Sequence, residues 1–147
     1  MTVTIRRGQP EDAKAIFGLA RQFSTGREPI RMDEFTVAYD NVLRRRDQET
    51  NVLFVAEVNG TVVGYSLMTV SRLLHAPGLT AHLQEIVVDE EYRGGGYGDR
   101  LIAANEHYCM GRGVRQLSAS TARFGSFYNH RGFESVGEHY RKLLELE

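Results

Sequence analysis

The sequence predicts an α/β domain built around one mixed sheet, and two stretches support this fold class. Two runs rich in β-branched residues, Asn51–Val58 and Thr61–Arg72, flank Asn59-Gly60, which is a strong signal for a tight hairpin. Further along, a short apolar run, a glycine-rich turn, an amphipathic helix and a second strand-like run follow one another. A strand–helix–strand unit of this kind favours a parallel pair of strands.

The chain begins with one predicted strand and two predicted helices. Residues 2–7 alternate, with Val3 and Ile5 on one face. Pro10 opens a helix that continues to a break at residues 24–29. The apolar stripe of this helix consists of Ala13, Ile16, Phe17 and Ala20. A second helix is predicted from about residue 32 to residue 46. It is expected to bury Phe35, Tyr39, Val42 and Leu43.

After the hairpin, Pro77-Gly78 turns the chain into a central strand at residues 82–89. A long helix follows the glycines and ends at residues 111–113. The residues at helical spacing on it are Leu101, Ile102, Ala104, Asn105, Tyr108 and Cys109, with Leu101, Ala104 and Tyr108 marking the stripe. The remaining elements are a strand at 114–120, a short helix at 124–130 and a final pair of strands at 133–146. The predicted order is therefore βααβββαβαββ, which gives a sheet of about seven strands flanked by helices.

The link between the central strand and the long helix reads Arg93-Gly94-Gly95-Gly96-Tyr97-Gly98. Glycine permits positive φ and close approach to a ligand, so successive N–H groups can point into one concavity. Such a concavity at a helix N-terminus favours a phosphate. A plain turn is the alternative, although adjacent glycines cost backbone entropy that a turn does not require. The spacing matches neither the P-loop nor the dinucleotide fingerprint.

Two motifs resemble those of the GNAT superfamily of N-acetyltransferases. Arg93, Gly96 and Gly98 fit the family signature, which is Arg or Gln, two residues, Gly, one residue, and Gly or Ala. Residues 127–133, Phe-Tyr-Asn-His-Arg-Gly-Phe, match the family's Phe-Tyr-x-x-x-Gly-Phe near the C-terminus. The resemblance thus spans nearly the whole chain. It implies a mixed sheet in which the central strand and the strand after the long helix run parallel and splay apart.

The resemblance also implies acetyl-CoA as co-substrate. Its pantetheine arm is expected to pair with the backbone of Ile86, Val87 and Val88, as a peptide adds to a sheet edge. Its pyrophosphate is expected on the backbone N–H groups of the glycine-rich link, with charge added by Arg93. The residues of that link are Gly94, Gly95, Gly96, Tyr97 and Gly98. The remaining expected contacts are Phe127, Thr121 and Phe124, the last two at positions where family members often have Asn and Ala.

Tyr128 matches the family's tyrosine beside the cofactor sulfur, where a protonated phenol could donate to the departing thiolate. The acceptor amine must lose a proton in order to attack, so a general base is required. His82 and Glu85 on the central strand are both candidates, and a surface role would explain either equally. Strand alternation places His82 with Gln84 on one face and Glu85 on the other, unless a bulge intervenes. Direct attack requires no covalent enzyme intermediate, so Cys109 is not expected to be a nucleophile.

Composition excludes several other classes of protein. The 147 residues suffice for one domain, expected to span residues 1–147, and their net charge of −1 provides no field for nucleic acid or anionic lipid. No apolar run is long enough for a membrane span, and the N-terminus lacks a signal-peptide segment, so a cytoplasmic protein is expected. One cysteine and five scattered histidines predict neither a disulfide nor a metal site.

The sequence therefore predicts an acetyl-CoA-dependent N-acetyltransferase that acts on a primary amine by direct attack. A small amine or amino-acid-like acceptor is favoured over a protein N-terminus or lysine, and loops 24–31 and 73–80 are expected to flank its site. One alternative is a catalytically idle acyl-CoA-binding module, which needs no base. Another is a nucleotide-binding regulator, which the missing P-loop lysine disfavours. The alternating tail 139–146 is a candidate homodimer contact, and an internal sheet edge explains it as well.

Overall fold

The computed structural model describes residues 2–23, 29–44, 50–121 and 125–144. Within them, five strands form one mixed sheet in which spatial order follows chain order. The strands are β1 (Val3–Arg7), β2 (Asn51–Val58), β3 (Thr61–Arg72), β4 (Leu79–Val88) and β5 (Val114–Ala119). Neighbouring strands are antiparallel except β4 and β5, which are parallel. The predicted fold class, a mixed sheet with a parallel pair after the long helix, is confirmed.

The helices of the described chain cover both faces of this sheet. They are α1 (Ala13–Phe23), α2 (Met32–Arg44), α3 (Tyr97–Arg112) and α4 (Gly125–Asn129), with short 3₁₀ turns at Pro10–Asp12 and Glu90–Tyr92. None of the helices in these ranges is long and apolar enough to cross a membrane. The hairpin between β2 and β3 turns at Asn59 and Gly60, whose φ values of 50° and 82° are those of the predicted tight turn.

Side chains of α1 and α2 form one core cluster against the sheet, and α3 covers the opposite face. The first cluster consists of Ile16, Leu19, Phe35, Tyr39, Leu53, Val55, Tyr65 and Val87. On the α3 side, the sheet packs against Leu101, Ile102 and Cys109. Successive strand residues therefore enter different cores, and this alternation determines which β4 side chains share a face.

Four of the six residues predicted at helical spacing on α3 are buried. They are Leu101, Ile102, Asn105 and Cys109, whereas Ala104 and Tyr108, which were expected to mark the stripe with Leu101, are only partly buried. Asn105 is polar and faces β3, where its side-chain amide donates hydrogen bonds of 2.8 Å to Ser66 Oγ and to the carbonyl of Leu101. Its Oδ1 has no hydrogen-bond partner among the described residues. The buried stripe therefore runs through Asn105 and Cys109 instead of Ala104 and Tyr108.

An ion-pair group joins β1, β2 and the turn before α1. The Arg6 guanidinium contacts Asp12 Oδ2 at 2.8 Å and Glu57 Oε1 at 2.9 Å. Asp12 is 7 % exposed and also accepts from the backbone N–H of Gln9. The hydrogen bond from Arg6 holds the pKa of Asp12 below its usual value, although burial opposes this shift.

The predicted final pair of strands was wrong for the residues that the structure describes. Residues 133–144 contain no strand, and the sheet has five strands instead of about seven. Large apolar side chains of this segment are exposed, namely Val136, Tyr140, Leu143 and Leu144. Alternation indicates a strand only where a neighbouring strand supplies hydrogen-bond partners, and this segment has none here.

Candidate active site at the end of strand β4

The glycine-rich link forms an open turn between β4 and α3. Gly94 and Gly96 have φ values of 84° and 83°, and a Cβ added at either would meet no atom within 4 Å. Gly96 caps α3 without a side-chain hydrogen bond, and Gly94, Gly95 and Gly96 are exposed. The first N–H groups of a helix have no partner inside it. The link therefore provides an open helix N-terminus that can accept a phosphate.

The other residues of this link have packing roles. A Cβ on Gly95 would lie 2.6 Å from the ring of Tyr97, and Tyr97 itself is buried in the core, with its ring 6.1 Å from that of Tyr92. Only the backbone N–H of Tyr97 can therefore contact a ligand at the turn. The plain-turn alternative explains Gly95 equally well. Gly94 and Gly96 are thus the glycines of this link that favour a phosphate site over a plain turn.

Arg93 lies beside the turn and is anchored to the end of β4. Its Nε–H donates to the carbonyl of Val88 at 3.1 Å, while the side chain is exposed. Since arginine has five N–H donors in a planar fork, this single bond leaves others for an anion.

One side of β4 is open where the cofactor was predicted. The pairing of β4 with β5 ends at Leu83 and Ala119, whereas pairing with β3 continues to Val88. In the described part of the chain, Ile86, Val87 and Val88 thus have a neighbouring strand on one side only. Their side chains pack into the cores, Val87 towards α1 and α2, and Ile86 and Val88 towards α3. They can therefore contribute backbone groups to an extended ligand, next to the glycine turn.

A β-bulge at Gln84 changes the predicted faces of β4. Leu67 pairs with Glu85 and Met68 pairs with Leu83, so Gln84 is an extra residue on β4. Leu83 packs on the α3 side, whereas Glu85 contacts Tyr65 of the α1 and α2 cluster. His82, between the α3-facing Ala81 and Leu83, also points to the α1 and α2 side. The bulge thus places His82 and Glu85 on the same face, against the expectation from strict alternation.

His82 is held from β5 in a form that can accept a proton. Its Nδ1 lies 2.7 Å from Ser118 Oγ, whose hydroxyl donates to the carbonyl of Ala81 at 3.3 Å. A serine that donates there must accept from the imidazole, which places the proton on Nδ1 and the free lone pair on Nε2. Burial, and then the positive charge of His139, lower the pKa of His82 below its ordinary value.

Glu85 receives a hydrogen bond from the core. The Tyr65 hydroxyl donates to Glu85 Oε1 at 2.5 Å, and Tyr65 is 2 % exposed. Burial and the nearby Glu85 raise the pKa of this phenol well above its usual value, so it remains a donor. Neither Tyr65 nor Ser118 was identified from the sequence. Each lies in a predicted strand, but which β4 residue it meets depends on strand register.

The second family-like motif places α4 against the glycine turn. A Cβ on Gly98 would lie 3.3 Å from the ring of Phe127 and 4.0 Å from the side chain of Val88. The chain then reverses at Gly132, whose φ is 86°, and the ring of Phe133 returns to within 5.3 Å of Tyr128. Tyr128 is half-buried between two aromatic rings, and burial raises the pKa of its hydroxyl. The phenol therefore stays protonated at neutral pH, as a proton donor requires.

Arg131 ties α4 to the first turn of α3. Its guanidinium lies 3.6 Å from the centre of the Phe127 ring, donates to the Phe127 carbonyl at 2.5 Å and pairs with Asp99. Neither Arg131 nor Asp99 was identified from the sequence, because Arg131 occupies a variable position of the motif and Asp99 lies in a different element. Thr121 is exposed just after β5. Phe124 lies outside the described residues.

Of the two loops predicted to flank the acceptor, the first, at residues 24–31, falls mostly outside the described residues, because 24–28 are not among them. The helix before it, α1, ends near the C-terminal end of β4, because the side chain of Gln22 accepts from the backbone N–H of Glu90. The second loop, at residues 73–78, joins β3 to the N-terminal end of β4. Ten strand residues span about 33 Å, so this second loop lies far from the glycine turn.

Comparison with known families agrees with this arrangement. The profile described as "Acetyltransferase (GNAT) family" matches residues 15–133, a range that includes β4, the glycine turn and α4. The chain belongs to the GNAT acetyltransferase family. The fold of this family supports acyl-CoA-dependent acetyl transfer, and its members use acetyl-CoA.

Solved structures of several proteins have the same fold. A glucosamine-6-phosphate N-acetyltransferase from Arabidopsis thaliana has a TM-score of 0.82 at 20 % identity, covering 99 % of this chain and 100 % of that chain. A transcriptional regulator from Bacillus halodurans C-125 has a TM-score of 0.83 at 20 % identity, covering 97 % and 100 % respectively. An aminoglycoside N-acetyltransferase in complex with CoA has a TM-score of 0.77 at 20 % identity, covering 96 % and 95 %. At these identities the likeness concerns the fold.

The site of this GNAT protein suits a CoA thioester. The unobstructed turn at Gly94 and Gly96 is open to a pyrophosphate, and the side of β4 without a strand is open to an extended amide-containing arm. Both openings lie at the C-terminal end of β4, where α4 brings Phe127.

Proposed function

We propose that the protein is an acetyl-CoA-dependent N-acetyltransferase that transfers the acetyl group to a primary amine by direct attack. The observation that carries this proposal is the early end of the pairing between β4 and β5 at Leu83 and Ala119. In the described chain this leaves one side of Ile86, Val87 and Val88 without a neighbouring strand directly before the glycine turn, as an extended thioester cofactor requires, and the Val88 carbonyl accepts from Arg93.

In this proposal the backbone N–H groups of residues 94–98 bind the pyrophosphate, and the Arg93 guanidinium adds positive charge. The open side of β4 binds the pantetheine arm, and Phe127 packs beside it. When bound, acetyl-CoA supplies an acetyl group activated as a thioester. The protein's contribution is to hold this group next to the amine, which provides much of the acceleration.

The proton leaves the amine towards the face of β4 that carries His82 and Glu85. Neutral His82 offers Nε2 as an acceptor, and Glu85 offers a carboxylate that also attracts a cationic ammonium group. Either residue can act as the base, directly or through water. Tyr128, whose hydroxyl is kept protonated by burial, donates a proton to the departing thiolate.

The acceptor we favour is a small or amino-acid-like amine, with a protein N-terminus or lysine as the alternative. Two proteins of the same fold are named for amino-sugar and aminoglycoside acceptors. A carboxylate on the acceptor face suits any cationic primary amine, so identification of the acceptor requires a screen.

The first test is thermal unfolding with acetyl-CoA, CoA or ATP at equal concentration, since a ligand that binds the native state raises its stability. Shifts with both CoA compounds but not with ATP are expected. An equal shift with ATP would instead favour a nucleotide-binding regulator. Absence of any shift with saturating CoA would contradict the proposed cofactor site.

The second test measures acetyl transfer to spermidine, L-lysine, glucosamine and a peptide with a free N-terminus. The release of the CoA thiol monitors the reaction. The variants Glu85→Gln and His82→Gln identify the base, because substitution of the residue that acts as the base should lower kcat by about 10²-fold or more. CoA binding without turnover of any amine would favour the idle acyl-CoA-binding module.

A further inference from the structure

Tyr65 lies beneath the acceptor face of β4, on the neighbouring strand β3. Its ring belongs to the core cluster of α1 and α2, together with Ile16, Tyr39 and Val87. Its hydroxyl emerges from this cluster and donates to Glu85 Oε1 at 2.5 Å. The contact therefore connects the rigid core to a side chain of the candidate active site.

Strand register makes this contact possible. Tyr65 pairs with Val87, and Glu85 pairs with Leu67, two residues further along β3. Without the extra residue Gln84, alternation would turn either His82 or Glu85 to the α3 side. With the bulge, His82 and Glu85 share the acceptor face, and Glu85 is within reach of the phenol.

The chemistry of the pair is asymmetric. A hydroxyl with so little exposure needs a partner, and Tyr65 finds it in a carboxylate instead of a backbone carbonyl. Glu85 is partly exposed, and its other oxygen, Oε2, forms no hydrogen bond within the described ranges. One carboxylate oxygen is thus fixed by the core, and the other is left for a ligand.

We propose that Tyr65 is a positioning residue that orients the Glu85 carboxylate towards the acceptor amine. This inference rests on the proposed N-acetyltransferase function and adds to it a residue that the family motifs do not contain. Tyr65 does not touch the substrate. It limits the rotation of Glu85, so that Oε2 meets the ammonium group in one orientation.

The test compares Tyr65→Phe with a matched control, Tyr39→Phe. Both substitutions remove one hydroxyl from the same core cluster, and both hydroxyls donate at 2.5 Å, but Tyr39 donates to the backbone carbonyl of Gln9. Kinetics are measured with acetyl-CoA and the amine that the wild-type protein acetylates fastest in the screen above. Glu85→Gln and the double variant Tyr65→Phe/Glu85→Gln complete a double-mutant cycle.

If Tyr65 acts through Glu85, Tyr65→Phe lowers kcat/KM for the amine by about 10-fold or more, with the KM for acetyl-CoA unchanged. Tyr39→Phe leaves both parameters unchanged. In the Glu85→Gln background, Tyr65→Phe causes little further loss, because the group it positions is already gone.

Equal kinetics of Tyr65→Phe and Tyr39→Phe in an active enzyme would overturn the inference, as would full additivity with Glu85→Gln. A wild-type protein without turnover would overturn the proposed function itself, so the two failures are distinguishable. If Tyr65→Phe does not fold, 3-fluorotyrosine at position 65 replaces it, because fluorine strengthens the phenol as a donor. A change in kcat at position 65 and none at position 39 is then expected, and equal behaviour would refute the role.

Discussion

Substitution of Gly96 by alanine tests the glycine turn with a matched internal control. Gly96 has a φ of 83° and Gly60, in the distant hairpin, a φ of 82°, and a Cβ at either position meets no atom within 4 Å. Alanine in the left-handed region costs about 1–2 kcal/mol through backbone strain alone. Gly96→Ala and Gly60→Ala should therefore destabilise the protein by similar amounts, about 2–8 °C in Tm for a chain of this size.

The two variants should differ in CoA binding. At Gly96 the strained backbone of the alanine variant should relax by rotating the N–H groups that we propose bind the pyrophosphate, whereas Gly60 lies in the hairpin turn between β2 and β3. Loss of one hydrogen bond to a charged group costs about 1.5–3 kcal/mol, which corresponds to a Kd for CoA about 10- to 150-fold higher. The Kd of Gly60→Ala should equal that of the wild-type protein.

Isothermal titration with CoA measures both affinities, and thermal unfolding without ligand measures both stabilities. Equal Kd values in the two variants, at comparable loss of stability, would refute the phosphate cradle. The glycines would then serve only the turn and the packing of Tyr97. A larger loss of stability in Gly96→Ala alone would indicate that the two positions are not matched, and the Kd would then be corrected for the folded fraction.

Three further predictions concern catalysis and stability. Tyr128→Phe should lower kcat by about 10²-fold or more with the Kd for CoA unchanged, because it removes a proton donor. Steady-state kinetics measure kcat and calorimetric titration measures the Kd, and an unchanged kcat would exclude this role. Arg6 lowers the pKa of Asp12 in the folded state. The ionised Asp12 carboxylate therefore contributes stability that is fully present above the unfolded pKa of about 3.9 and is lost as the pH falls through the lower folded pKa. Urea unfolding between about pH 2 and pH 7 should therefore show a smaller acid-induced loss in Asp12→Asn than in the wild-type protein, and parallel curves would contradict the linkage. Asn105→Ala should lower the free energy of unfolding by about 1–3 kcal/mol, because the Ser66 hydroxyl and the Leu101 carbonyl lose their donor, and a loss below about 0.5 kcal/mol would show that this amide is dispensable.

Local sequence predicted most of the helices and strands. The hairpin strands Asn51–Val58 and Thr61–Arg72 have the predicted bounds, because β-branched residues and Asn59-Gly60 act over short distances. The turn between β4 and α3 also lies where the sequence predicted it, because glycine itself permits the backbone conformation there. The family resemblance, carried by two short motifs, was likewise correct.

Features that depend on a partner were predicted less well. Residues 133–146 were predicted as a pair of strands and their tail 139–146 alternates, yet residues 133–144 form no strand in the described chain, since a strand requires a neighbour. The sequence likewise did not show that the side chain of Tyr97 packs into the core, which leaves its backbone N–H for the expected phosphate contact. Of the two loops expected to flank the acceptor, residues 73–78 lie at the N-terminal end of β4, and residues 24–28 lie outside the described ranges.

By itself, then, the sequence determined the order of elements from β1 to α4, the glycine turn and the family, because these follow from residue types at short spacing. Only the tertiary structure decided which side chains meet. The bulge at Gln84 and the register of β3 and β5 bring His82 and Glu85 to one face, with Ser118 and Tyr65 as their supports. Register is set by packing between strands that are distant in the chain, and one extra residue reverses every side chain beyond it.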